Sequence, residues 1–183
     1  MPRLFTGLEA PAGIAALLAQ MRGGLSARWM DADDYHITLR FIGDVDYATA
    51  DEIADALSAV RRAAFTVTID ELGAFGGARP RTLIAHVRAE PALRELQAEH
   101  ERIMRRIGLP REPRKFAPHL TLARLRDASA LDVAHYLAAH PLRAPLRFEA
   151  SRFALFSARD SVGGGPYVTE ATYPLARVTA RAR

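Results

Sequence analysis

The sequence predicts an α+β protein in which helices pack against antiparallel sheet. Three observations carry that prediction: seven short runs rich in β-branched and large apolar residues, helical patterns between them, and no low-complexity linker dividing the chain. The first strand-like run covers 3–8, and a weak helical pattern follows over 11–22. A second run at 36–42 precedes a helix over 49–62. There Thr49 and Glu52 have capping-box spacing, and Ile53, Leu57 and Val60 share one face. Runs at 65–70 and 82–87 come next, separated by a loop at 73–81 that carries Gly76, Gly77 and Pro80. Residues 91–107 form the strongest helical pattern. Pro91 sits in its first turn, Leu93, Leu96, Ile103, Met104 and Ile107 are its apolar positions, and Gly108 and Pro110 end it. A proline-rich basic loop over 108–118 holds Arg111, Arg114 and Lys115. It leads into a strand at 119–125 and a weak helix at 128–139. A strand at 152–157, a loop at 157–168 containing Gly163-Gly164-Gly165-Pro166, and a strand at 172–178 complete the pattern.

With 183 residues, 49% of them hydrophobic and 25% charged, the chain has the composition of a protein that buries a core. It contains no cysteine, which excludes a thiolate nucleophile, a disulfide framework and cysteine-ligated zinc or iron–sulfur centres. No apolar run reaches the length of a membrane span, and the opening residues lack the pattern of a secretory signal, so the expected location is the cytoplasm. The net charge of +4 is unevenly distributed: residues 1–91 carry −3 and residues 92–183 carry +7. Lys115 is the one lysine among 25 basic residues. The 24 arginines suit bidentate phosphate contact, although arginine bias also follows genomic base composition.

An internal repeat locates the chemistry. His36-Ile37-Thr38-Leu39 recurs 83 residues later as His119-Leu120-Thr121-Leu122, each copy in a strand-like run. Strand alternation puts His36 and Thr38 on one face and Ile37, Leu39 and Phe41 on the other, in apolar packing. It pairs His119 with Thr121 in the same way. Two such half-structures facing each other bring two imidazoles and two hydroxyls to one cleft. Imidazole titrates near pH 6.5, so one ring serves as base and the other as acid in opening a phosphodiester. The hydroxyls donate to the phosphate oxygens.

The paired motifs and their flanks resemble the two-histidine phosphoesterase superfamily, in its RNA 2′,3′-cyclic phosphodiesterase branch, also called the 2′-5′ RNA ligases. The similarity includes Arg3-Leu4-Phe5, the run from Tyr35 to Gly43, Pro80-Arg81, the run from Phe116 to Arg124, Phe156-Ser157 and Tyr167. The resemblance implies a bilobal fold with two pseudo-twofold related lobes, one motif in each, and a central cleft within a single domain spanning 1–183. It implies His36 as proton donor, His119 as proton acceptor, and Thr38, Thr121 and Arg124 on the phosphate. Arg124 falls on the wrong face by strict alternation, so it reaches the cleft only through a strand end or a bulge. Candidate RNA contacts are Arg40 (where the family often has lysine), Arg114, Lys115, Phe116 and Tyr167. His86 departs from the family's apolar or small residue and either lines the cleft or reaches solvent.

The expected substrate is an RNA end bearing a 2′,3′-cyclic phosphate, converted to a 2′-phosphate without metal or other cofactor and without an obligate protein partner. A related reaction on 2′-5′ linkages or small cyclic nucleotides shares the same motif, and a non-catalytic RNA-binding module is a third reading. A zinc hydrolase fits poorly, because neither motif contains a carboxylate and no His-Glu-x-x-His helix exists. His100, His135 and His140 fall in or just after helical patterns and read as surface or half-buried residues.

Overall fold

Nine strands and four helices alternate along the chain in a computed structural model, which describes residues 1–158 and 166–176. The strands are β1 (Arg3–Glu9), β2 (Ala27–Trp29), β3 (His36–Asp44), β4 (Phe65–Phe75), β5 (Thr82–Val87), β6 (His119–Leu125), β7 (Leu146–Ala150), β8 (Arg152–Ala158) and β9 (Tyr167–Pro174). The helices are α1 (Ala12–Ala19), α2 (Tyr47–Ser58), α3 (Pro91–Arg106) and α4 (Ala130–Ala139). The expected α+β class holds. The sheet order is β7-β4-β5-β6-β3-β1-β8-β9, with β2 alongside β6 and every strand pair antiparallel. The two motif strands lie side by side at the centre, joined by the single pair Ile37 and Leu120, and each heads a four-strand half. Antiparallel placement about that pair sets the motifs in opposite directions, which gives the two halves their pseudo-twofold relation.

Each helix forms where its sequence supplies an end signal, with one revision. Asp46, not Thr49, caps α2: its carboxylate accepts the Thr49 backbone N–H at 2.7 Å, so the helix starts at Tyr47, two residues before Thr49. Ser129 and Asp132 form a reciprocal capping box on α4. Pro91 opens α3, and Gly108 ends it in the left-handed region at φ 92°, where the Gly108 and Leu109 N–H groups reach back to the carbonyls of Arg105 and Met104. The apolar residues of the helices (Leu18, Ile53, Leu57, Leu93 and Leu96 among them) join Ile37, Leu39, Leu120 and Leu122 in one buried cluster. The core thus lies under one face of the sheet, and the opposite face is left to the histidines.

Strands β2 and β7 extend the sequence reading. β7 carries a legible alternation of Leu146, Phe148 and Ala150 and pairs with β4. β2 is three residues long and has no pattern of its own. β4 runs on to Phe75, into the segment read as a loop, and β9 begins at Tyr167. Gly163, Gly164 and Gly165, and the last residues of the strand expected at 172–178, lie outside the described residues.

Candidate active site

β3 and β6 match in irregularity as well as in sequence. Against β1, Gly7 pairs with Thr38 and Thr6 with Arg40, which leaves Leu39 as an extra residue. Against β5, Ile84 pairs with Thr121 and Leu83 with Ala123, which leaves Leu122 extra. These are β-bulges at equivalent positions, and each shifts the following residues to the opposite face. Arg124 is therefore carried into the cleft, as its expected role required.

The same bulge in β3 corrects two expectations. Phe41, expected in the apolar packing, is 40% exposed and lines the cleft. Arg40, a candidate RNA contact, is 5% exposed on the buried side. Its guanidinium pairs with Glu101 at 2.5 Å and donates to the carbonyls of Phe41 and Pro110, leaving it no path to RNA.

His36, Thr38, His119, Thr121 and Arg124 all line one cleft of about 580 Å³. The two imidazoles are held identically. His36 Nδ1 lies 2.7 Å from the Asp34 carbonyl, and His119 Nδ1 lies 2.7 Å from the Ala117 carbonyl. A carbonyl only accepts, so each Nδ1 carries the proton. Each Nε2 has no protein partner among the described residues and is available to a ligand. Neither the Thr38 nor the Thr121 hydroxyl has a hydrogen-bond partner among the described residues, so both are available as donors to phosphate. Arg124 Nη1 donates to Thr82 Oγ1 at 3.0 Å, which steadies the guanidinium at the cleft edge.

Aromatic rings desolvate both histidines. The rings of Phe5 and Tyr167 lie 4.8 and 4.9 Å from His36, and Phe75 lies 4.8 Å from His119 edge-to-face. Burial pushes the pKa of each histidine below its ordinary value; the carbonyl bonds oppose this, while the other histidine (for His36), His86 (for His119) and Arg124 add to it. Phe75 and Phe156 occupy matching places in the two halves, one pairing with Thr82 and the other with Phe5.

The remaining candidates divide. Arg114, Lys115, Phe116 and Tyr167 line the cleft, and Phe116 also packs against the main core. The Tyr167 backbone N–H donates to the Asp34 carboxylate at 3.2 Å, which ties β9 to the residue whose carbonyl orients His36. His86 is half-buried and is not among the residues that line the cleft. It leans over Gly73, where a Cβ would come within 2.6 Å of its Nε2, and meets Phe75 edge-on at 6.2 Å. Sequence reasoning missed Phe5, Phe75 and Thr82 as cleft residues, because register with the motif strands, not any motif of their own, brings them there. Among the described residues no group of three or more His, Asp or Glu is placed to hold a metal ion.

Two imidazoles and two threonine hydroxyls on adjacent antiparallel strands meet in one cleft, the arrangement expected of a two-histidine phosphoesterase. The profile of the 2'-5' RNA ligase superfamily matches residues 10–161, and the chain belongs to that superfamily. Proteins named RNA 2',3'-cyclic phosphodiesterase are similar over part of their length. One from Aeropyrum pernix is 37% identical over 59% of this chain and 62% of its own length. One from Geobacillus stearothermophilus is 37% identical over 52% of this chain and 32% of its own. The match thus spans less than two thirds of either protein. A relative of that name from Escherichia coli is 31% identical over 69% of this chain and 73% of its own. Among solved structures, Escherichia coli LigT complexed with 3'-AMP has a TM-score of 0.75 at 26% identity, covering 96% of this chain and 99% of that one. A structure described as a phosphoesterase reaches a TM-score of 0.80 at 23% identity, covering 96% and 98%, and shows the fold alone. No described helix is long and apolar enough to cross a membrane.

Proposed function

We propose that the chain hydrolyses RNA ends bearing a 2′,3′-cyclic phosphate to 2′-phosphomonoesters, in the cytoplasm, as a single bilobal domain with one motif per lobe. The observation that carries this reading is the matched pair of imidazoles. Each is oriented by the carbonyl two residues before it, and each presents Nε2 to a cleft shared with Thr38 and Thr121. Water attacks phosphorus while His119 Nε2 takes its proton. The bond from phosphorus to the 3′ oxygen breaks, and His36 gives that oxygen the proton on its Nε2. One proton enters His119 as one leaves His36, and solvent restores the pair. Thr38, Thr121 and Arg124 donate to the non-bridging oxygens as charge builds there.

The test is incubation of the purified protein with an oligoribonucleotide ending in a 2′,3′-cyclic phosphate, with the products resolved by phosphate position. A 2′-phosphate is the expected product. A product carrying mainly 3′-phosphate would reverse the roles given to the two histidines.

A further inference from the structure

The two motif strands are alike in backbone, so a difference between the two histidines has to come from outside the motifs. It lies on the strands beside them. His36 stands opposite Glu9 on β1, and His119 stands opposite His86 on β5. These places are equivalent: two residues before Glu9 is Gly7, the partner of Thr38, and two residues before His86 is Ile84, the partner of Thr121. The Glu9 carboxylate is taken up by Arg152 at 2.8 Å. Directly opposed residues of an antiparallel pair share a face, with Cβ atoms about 4.5–5.5 Å apart, so the imidazoles of His86 and His119 are neighbours. Phe75 joins them, since its ring meets His119 at 4.8 Å and His86 at 6.2 Å, close to a right angle in both cases. Gly73 leaves the room that the His86 ring occupies.

We propose that His86 is a positioning residue for the reaction: it stands behind His119 and, by repulsion between the imidazoles, keeps His119 neutral as the base while His36 carries the proton. This inference rests on the reading of the cleft as a two-histidine site for cyclic phosphates. His86 does not line the cleft, so it acts on a substrate only through His119. Two neighbouring imidazoles do not both take a proton readily, and their titrations are coupled.

The charged surroundings agree. Burial is the largest influence on both catalytic rings, and a carbonyl bond opposes it in each. Beyond these, the Asp34 carboxylate favours the proton on His36, against His119 and Arg124, whereas His86, Arg124 and Arg114 all disfavour it on His119. Glu112 and Lys115 also line the cleft, and Glu112 is paired with Arg114 at 2.8 Å. Glu71 stands opposite His86 on β4, and Arg88, two residues further along the chain, is paired with Asp70 at 2.9 Å.

The experiment follows the imidazole signal of His119 by NMR as pH is varied in the free protein, the signal being identified by its loss in His119→Ala. Its titration midpoint should rise by about half a pH unit or more in His86→Gln and in His86→Leu, the size expected of two charges about 5 Å apart in a watery surrounding. An unmoved or lowered midpoint in either folded variant overturns the proposal. Kinetics give a second measurement. With His86 gone, His119 keeps its proton to higher pH, so the acid limb of kcat/KM for a 2′,3′-cyclic phosphate should move upward by the same amount. A loss spread evenly over all pH values, with that limb unmoved, is what a merely structural role would give, and it overturns the proposal. If no cyclic phosphate is hydrolysed, the proposed reaction fails and the NMR midpoint still decides whether His86 sets the charge on His119.

Discussion

The two histidines must share one proton for the proposed chemistry, and burial has moved both of their pKa values downward. The sign follows directly. A group with a lowered pKa holds its proton only below its ordinary range, so the free protein reaches the singly protonated pair below about pH 6.5. The alkaline limb of kcat/KM is therefore expected below that value. In kcat it should move upward, because a bound phosphate anion stabilises both imidazolium forms. Profiles of both parameters test this, and a kcat/KM limb above pH 7 would contradict it. His36→Ala and His119→Ala should each cost about 10²–10⁴-fold in turnover, with little change in the unfolding midpoint. A third histidine has a different effect. His100 is fully buried, with Nδ1 2.8 Å from the Thr6 hydroxyl and Nε2 unpartnered, and desolvation lowers its pKa to about 3. Protonation then favours the unfolded chain, so its contribution is intact above pH 6.5 and falls by about 1.4 kcal/mol per pH unit below it. Urea titrations at pH 7 and pH 5 should show a smaller difference for His100→Gln, which keeps a partner for Thr6 but does not titrate.

At the scale of elements, the bulges in β3 and β6 decide which side chains reach the cleft. The alternation of His, apolar residue and Thr was legible because it falls before the bulge, within one uninterrupted stretch. Past the bulge, strict alternation inverted Phe41 and Arg40, because an extra residue is a property of pairing with β1 and leaves no mark in β3 alone. Gly7 belongs to the same arrangement: it pairs with Thr38 beside the bulge, and a Cβ there would lie 2.7 Å from the Ile37 carbonyl oxygen. The buried Arg40 ties β3 to α3 through Glu101 and to the basic loop through Pro110. Arg40→Met should cost about 3 kcal/mol by denaturant midpoint, since it leaves Glu101 partly buried without its partner. It should also expose the loop to trypsin after Arg111, Arg114 and Lys115. Arg40→Lys should recover part of both effects.

At the scale of the whole molecule, Arg3, Arg114, Lys115 and Arg124 line the cleft, which suits it to an anionic partner. Replacing Arg111, Arg114 and Lys115 with alanine should flatten the dependence of RNA binding on salt, because fewer counterions are released. An unchanged slope would return the loop to solvated surface. Turnover should survive exhaustive chelation, since imidazoles and hydroxyls supply the proton transfers and charge stabilisation. Loss in EDTA with recovery in zinc or manganese would show that a cation takes part.

The sequence by itself determined the α+β class, the extent of α3, the end of α4, and the identity of the paired histidines and threonines. Those features depend on neighbours a few residues apart: a cap, a helical period, or two side chains on one face of a strand. Pairing decided the rest. Arg124 enters the cleft, Arg40 leaves it, and Phe5, Phe75 and Thr82 join it, because strands distant in sequence set the register of β3 and β6. A one-residue change in register reverses every side chain that follows it, and the information that fixes register lies in the partner strand.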